Sequence, residues 1–467
     1  MDTMHFWSVA RTRAAIACGE TSVEEIVHAH LARIEAVNPA INAIVDEVAD
    51  PAAEARRLDA LPAAERGPLH GVPVTIKINV DVAGGRNTNG APGLKDTVCR
   101  EDSPLVENLR KAGAVIVGRT NVPEFSLRFF SSNPLYGTTR NPWDETRTPG
   151  GSSGGASAAL ACGVGTIAHG NDLGGSLRYP AYCCGLVSIR PSMGRVPAYN
   201  PSAPAERPPV TLQMSVQGPI TRCVADAREA LTVMAGRSAR DPMWTAAPDA
   251  GRPRRARPRI GVAPRAFGRN VDPAVSNALG KAQAAAEAAG LDVVEVDLPD
   301  VDRMVELWGQ LLCTEVEHAM LEGIRANGSP DIMAVLEGYR DRYGLLDLPG
   351  YLAACAERTA IARRWSVLFD EVDALLLPVS TRIPFPQDHD RTGREGVEYV
   401  LDGQRPLYVV NLIGLPAVAV PTHLADGLPV GVQLVGAMHD DFPLLDLAER
   451  LENGLGTLGV PPLVADL

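Results

Sequence analysis

Hydrophobic positions along this chain follow two different periods. Before residue 66 they recur at near-helical spacing, with Ile26, Ala29, Leu31, Ile34 and Val37 following a Ser22-x-x-Glu25 capping box. From Gly71 they contract into short β-branched runs, first Val72-Pro-Val-Thr-Ile-Lys-Ile and then Ala114-Val-Ile-Val-Gly. Ser103 to Ala112, between them, reads as a helix. Further runs begin at Ile260, Asp292, Ala374, Ala417 and Val430, each separated from the last by helical sequence. Strands alternating with helices predict an α/β fold with a largely parallel or mixed sheet. Arg237 to Pro258, rich in Arg, Pro, Ala and Asp, reads as a surface loop. The alternation continues beyond it, and there is no internal repeat.

The chain has 467 residues, 45% hydrophobic and 21% charged, which suits a globular protein with a large core. A formal net charge of -12 disfavours nucleic acid as a partner, since phosphate binding needs clustered Lys and Arg. The one basic cluster, Arg252, Arg254, Arg255, Arg257 and Arg259, is interleaved with Pro253 and Pro258 and reads as a solvated connector. The 8 cysteines form no C-x-x-C pair and are expected to be reduced, mostly buried thiols. No signal peptide is evident at the N-terminus. The longest apolar stretch, Tyr408 to Pro421, is interrupted and too short to span a membrane. A cytoplasmic protein, with no membrane partner, is the expectation. His28 and His30 stand two apart and so point to different helix faces, which suits surface histidines better than a metal pair.

Candidate chemistry concentrates in Thr148-Pro-Gly-Gly-Ser-Ser-Gly-Gly-Ala-Ser and Gly170-Asn-Asp-Leu-Gly-Gly-Ser-Leu-Arg-Tyr-Pro-Ala. A flexible linker does not fit, because an Ala-rich helical stretch follows at once. A phosphate loop lacks its Gly-Lys-Ser/Thr ending. Gly151-Ser-Ser-Gly-Gly does fit the nucleophile elbow G-x-S-x-G, with Ser153 as nucleophile. That alternative also needs a later acid and a histidine. His318, His389, His423 and His439 are available, none in a persuasive local context.

Taken together and in order, the motifs resemble the amidase signature family of serine amidases. They are Gly71-Val-Pro-Val-Thr-Ile-Lys, Asn121-Val-Pro-Glu-Phe, Asn141-Pro-Trp-Asp, Pro149-Gly-Gly-Ser-Ser-Gly-Gly and Gly174-Gly-Ser-Leu-Arg-Tyr-Pro-Ala. The similarity resumes with Asn411-Leu-Ile-Gly-Leu-Pro-Ala and Gly427-Leu-Pro-Val-Gly-Val-Gln-Leu-Val-Gly. The resemblance implies a single domain over 1–467, a large mixed β-sheet core surrounded by helices. Residues 1–65 form a helical N-terminal segment, and about 230–370 shape a variable substrate pocket. It implies hydrolysis of a small or aryl carboxylic amide, with carbamates and esters open to the same acyl transfer. The alternative is the glutaminase subunit of a tRNA-dependent amidotransferase. The expected partner is a small-molecule amide, with a homodimer left open, and no cofactor or metal is implied.

By motif position the resemblance assigns Ser176 as nucleophile, Ser152 as proton relay and Lys77 as base. A serine hydroxyl attacks well only when its proton is removed as it reacts. Lysine can remove it only when neutral, against a free pKa of ~10.4. Lys77 lies between Ile76 and Ile78, and burial there would favour the neutral amine. The family's relay serine follows a cis peptide, which here falls at Gly151–Ser152. The expected oxyanion donors are the N–H groups of Leu173, Gly174, Gly175 and Ser176. Asp172 and Arg178 should brace that turn, Ser153 should support its loop, and His169 should be a packed, hydrogen-bonded side chain. Asn171 stands where the family commonly has threonine. Ser126 to Ser131 should pass near the bound carbonyl, so Ser126 and Leu127 are candidate substrate contacts. Trp308, Leu311 and Leu312 are further candidates, with simple core packing the commoner role for such residues. Tyr351 and Phe385 share that ambiguity.

Overall fold

The β-branched runs pair into one sheet of 11 strands. The computed structural model describes residues 3–249, 251–252, 255–268 and 270–464. In chain order the strands are β1 Ile44–Asp46, β2 Pro73–Lys77, β3 Val115–Thr120, β4 Ser132–Asn133, β5 Gly137–Thr138, β6 Ile167–Asp172 and β7 Val187–Arg190. They continue with β8 Val216–Thr221, β9 Arg259–Val262, β10 Asp292–Glu295, β11 Ala374–Pro378, β12 Ala417–Ala425 and β13 Leu428–Val435. The sheet runs β1-β3-β2-β6-β8-β7-β12-β13-β11-β9-β10, and β4 with β5 forms a separate hairpin. The β3-β2-β6 and β11-β9-β10 groups are parallel, while the centre from β6 to β13 is antiparallel. The sheet is therefore mixed, as expected.

Every residue of β2 is buried, which is the normal state of a parallel strand covered on both faces. Parallel pairing of β2 with β6, with Thr75 opposite Ala168, brings the C-terminal ends of both strands to the same edge. Open α/β sheets place ligands at that edge. Lys77 ends β2 and Asp172 ends β6, so topology alone gathers the candidate residues there. The loop ahead of the fully buried helix Gly154–Ala161 reaches the same place.

Three expectations change. The N-terminal segment is not wholly helical: β1 pairs antiparallel with β3 at the sheet edge. His30 is a buried residue whose Nδ1 accepts the N–H of Gly165 at 3.0 Å, while His28 is exposed. Its helix packs against the protein on a broader face than the period suggested, and burial pushes this imidazole down to about 3. The basic cluster is also more than a solvated connector. Arg252, Arg255 and Arg259 pair with Asp440, Asp373 and Asp292, whereas Arg254 lies outside the described residues.

The Ser22 capping box forms as predicted, its hydroxyl accepting the Glu25 N–H and the Glu25 carboxylate accepting the Ser22 N–H. Replacing Ser22 by Ala should cost about 1 kcal/mol of stability. Chemical denaturation would detect that loss.

Candidate active site

Lys77 is fully buried, and its amine is surrounded by oxygen. Nζ lies 2.6 Å from Ser152 Oγ, 3.1 Å from Ser153 Oγ and 2.6 Å from the side-chain oxygen of Asn171. Burial pushes its pKa well below the ordinary lysine value. Asp172 opposes that shift and Arg207 adds to it. Among the described residues no carboxylate pairs with the amine directly, so desolvation outweighs the opposing effect of Asp172.

The Gly151–Ser152 peptide is cis, and Gly150 adopts φ +84°. The segment 148–154 rests on the 129–131 backbone. Ser131 Oγ donates to the Gly150 carbonyl at 3.1 Å and accepts the Gly154 N–H at 2.9 Å. A Cβ at Gly151 would lie 2.4 Å from the main-chain nitrogen of Phe130. Glycine is needed there for close backbone approach. Ser131 is thus occupied in holding the glycine-serine loop.

After β6 the chain turns through Leu173 to Ser176 into the helix Arg178–Cys184. Asp172 braces the turn, its carboxylate accepting the N–H of Gly175 at 2.8 Å and of Leu177 at 3.2 Å. It pairs with Arg178 at 3.1 Å, and Arg190 approaches it at 3.6 Å. Asn411 donates to the same carboxylate at 2.7 Å, and Gln433 accepts from Arg178 at 2.7 Å. The two guanidinium groups hold the Asp172 carboxyl well below its ordinary range against the opposing effect of burial. Among the described residues, the N–H groups of Leu173, Gly174 and Ser176 have no acceptor. The Gly175 N–H is bound to Asp172, so it departs from the expected four-donor set. The φ of +115° at Gly175 turns this N–H inward to the carboxylate.

Ser176 is 7% exposed at the end of this turn. Trp308 packs against the turn from the other side, its indole N–H donating to the Leu173 carbonyl at 3.2 Å. A Cβ on Gly174 would come within 2.7 Å of the Trp308 ring. Trp308 also stacks on Tyr408 at 3.8 Å. It supports the turn as a core residue.

A cavity of about 560 Å³ is lined by Leu127, Leu312, Cys313, Val316, Met333 and Tyr339, with Glu317 and Arg340 among its polar lining; Leu312 stands one turn beyond Trp308 on the same helix. Leu311 is fully buried and does not line it. The pocket residue is Leu312, one helical position and roughly 100° further round. Ser126 is half-buried and accepts from Asn79 at 3.0 Å. Phe385 is core, and the Tyr351 hydroxyl donates to Glu315 at 2.6 Å. His169 is buried, hydrogen-bonded to Gln217 at 2.9 Å, and burial pushes it down to about 3. The sequence motifs leave Arg190, Asn411 and Gln433 without a role, and for Asn171 they imply only altered local bonding. The signal for Asn411 and Gln433 is a polar residue set within otherwise apolar motif runs.

The Amidase family model matches residues 25–445. The chain is 43% identical to indoleacetamide hydrolase of Bradyrhizobium diazoefficiens, covering 97% of this chain and 87% of that one. It is 33% identical to a glutamyl-tRNA(Gln) amidotransferase subunit from Nitratidesulfovibrio vulgaris, covering 99% of both. Among solved structures, substrate-bound 6-aminohexanoate cyclic dimer hydrolase superposes with a TM-score of 0.85 at 28% identity, over 99% of this chain and 100% of that one.

Asp172→Ala would leave two buried guanidinium groups without their counter-charge. The expected loss is about 3–5 kcal/mol of stability, read by chemical denaturation. Stability close to that of the unmodified protein would contradict a bracing role.

Proposed function

This chain belongs to the amidase family and hydrolyses amide C–N bonds, and from that premise we propose that Lys77, Ser152 and Ser176 do so through an acyl-enzyme. The observation carrying the proposal is the 2.6 Å contact between Ser152 Oγ and a fully buried lysine amine. Lys77 Nζ takes the proton of Ser152 Oγ, which takes that of Ser176 Oγ as the latter attacks the substrate carbonyl carbon. The N–H groups of Leu173, Gly174 and Ser176 receive the oxyanion, each typically worth about 3 kcal/mol in the transition state. The proton then returns along the same chain to the leaving nitrogen, the C–N bond breaks and the amine departs. Water, deprotonated by the same relay, attacks the acyl-enzyme and frees the acid.

The proposed substrate is a small primary amide with a flat apolar acyl group. The largely apolar cavity beside Leu127 and Leu312 suits such a group, and the indoleacetamide hydrolase likeness points the same way. A role within an amidotransferase complex is less favoured, since that relative stands at 33% identity against 43%. Eight free cysteines and the lack of any described helix long and apolar enough to cross a membrane support a reducing, cytoplasmic setting.

The isolated chain should release ammonia from indole-3-acetamide and do so far better than from glutamine. Ser176→Ala and Lys77→Ala should each lower kcat/KM on the order of 10³-fold or more. Because only the neutral amine accepts a proton, activity should rise with pH through the Lys77 ionisation, on the acid side of the ordinary lysine range. Mass spectrometry of the quenched reaction should find the acyl group on Ser176. Retention of most activity in Ser176→Ala would overturn the assignment.

A further inference from the structure

We propose that Asn171 is a positioning residue for Lys77, aiming the lone pair of its amine at Ser152, and that Asn79 and Ser126 tie this aim to the wall of the acyl cavity. The inference rests on Lys77 acting as the base.

The argument is one of donors and acceptors. A neutral amine has two N–H donors and one lone pair. Around Lys77 Nζ stand three oxygens. The Asn171 side-chain oxygen can only accept, so it takes one N–H. Ser153 Oγ directs its own hydrogen to the Asn171 carbonyl at 3.4 Å and accepts the second N–H. The lone pair is left facing Ser152, the one neighbour whose proton it is meant to take. A flipped Asn171 amide would offer N–H to the amine and draw the lone pair away from Ser152.

What prevents the flip is a second amide. Asn171 Nδ2 donates to Asn79 Oδ1 at 3.1 Å, and Asn79 Nδ2 donates to Ser126 Oγ at 3.0 Å. Asn200 in turn holds the Asn79 main-chain carbonyl at 2.8 Å. Each amide has one accepting and one donating end, so the polarity of the whole row is set together. Reversing either amide alone sets N–H against N–H or oxygen against oxygen between Asn171 and Asn79, so the two share one polarity. The row ends at Ser126, a residue with φ +60° directly before the cavity-lining Leu127. A substrate that moves this segment therefore acts on the aim of the base.

The charged and titratable groups around Lys77 are few. Asp172 and neutral His169 lie on β6, Arg207 precedes the helix Pro209–Met214, and Arg119 on β3 donates to the Lys77 carbonyl. A new carboxylate at position 171 would thus be the nearest charge to the amine.

Steady-state pH profiles of kcat and KM distinguish the outcomes. Asn171→Leu, which cannot accept, should lower kcat at least about tenfold at the pH plateau with KM little changed. Asn171→Asp should stabilise the ammonium, moving the acid limb upward by at least about one pH unit, with activity recovering at high pH. Asn79→Leu, which leaves the Lys77 contact itself intact, should give an intermediate loss in kcat and guards against a fold defect next to Asp172. Wild-type kcat and pH profile in Asn171→Leu and Asn79→Leu, with Lys77→Ala inactive, would overturn this inference and leave the base assignment standing. An active Lys77→Ala would overturn both.

Discussion

A lysine amine fully withdrawn from water, with no carboxylate in contact among the described residues, is the constraint around which this site is arranged. An ammonium in that position would lack hydration, and burial therefore shifts the balance toward the neutral amine. Neutrality is also what proton abstraction from serine needs. The same burial that makes Lys77 unfavourable to fold as a cation makes it usable as a base. Topology supplies the burial, because β2 lies between β3 and β6 and is covered on both faces.

The negative charge nearest this amine is handled separately. Asp172 lies at the end of β6, one residue from the asparagine that touches Lys77, and would favour the ammonium if left alone. Arg178 and Arg190 absorb that carboxylate, with Asn411 and Gln433 completing the network from helix Arg405–Ile413 and strand β13. The arrangement turns a charge that would favour the Lys77 ammonium into a brace for the turn carrying Ser176. It also explains why the chain's distant C-terminal segments reach the site: through Asn411 and Gln433 they hydrogen-bond the brace.

How much of this is legible in the sequence depends on whether the determinant is local. The capping box at Ser22, the β-branched run ending in Lys77 and the glycine-rich loop all carry their signal within a few residues, and each forms as expected. Strand β6 is not legible as a strand, since His169, Gly170, Asn171 and Asp172 have weak β propensity and are held there by pairing with β8, while Ile167 and Ala168 pair with β2. The contact of Asn171 with Lys77 follows from that pairing, so it too is hidden. Leu311 and Leu312 differ only in rotation about one helix, which periodicity cannot fix when both are apolar. His30 misleads because two residues of separation says nothing about which helix face the protein covers.

The claim on which the rest stands is that Lys77 is neutral at working pH. Carbon-13 NMR of the folded protein with ¹³Cε-labelled lysine, assigned by comparison with Lys77→Met, reads its ionisation directly. With only a few lysines in the chain (Lys77, Lys95, Lys111 and Lys281) the assignment is tractable. The predicted result is a Lys77 resonance that titrates well below the ordinary lysine value. A Lys77 resonance that remains that of an ammonium up to the ordinary lysine range would contradict the account.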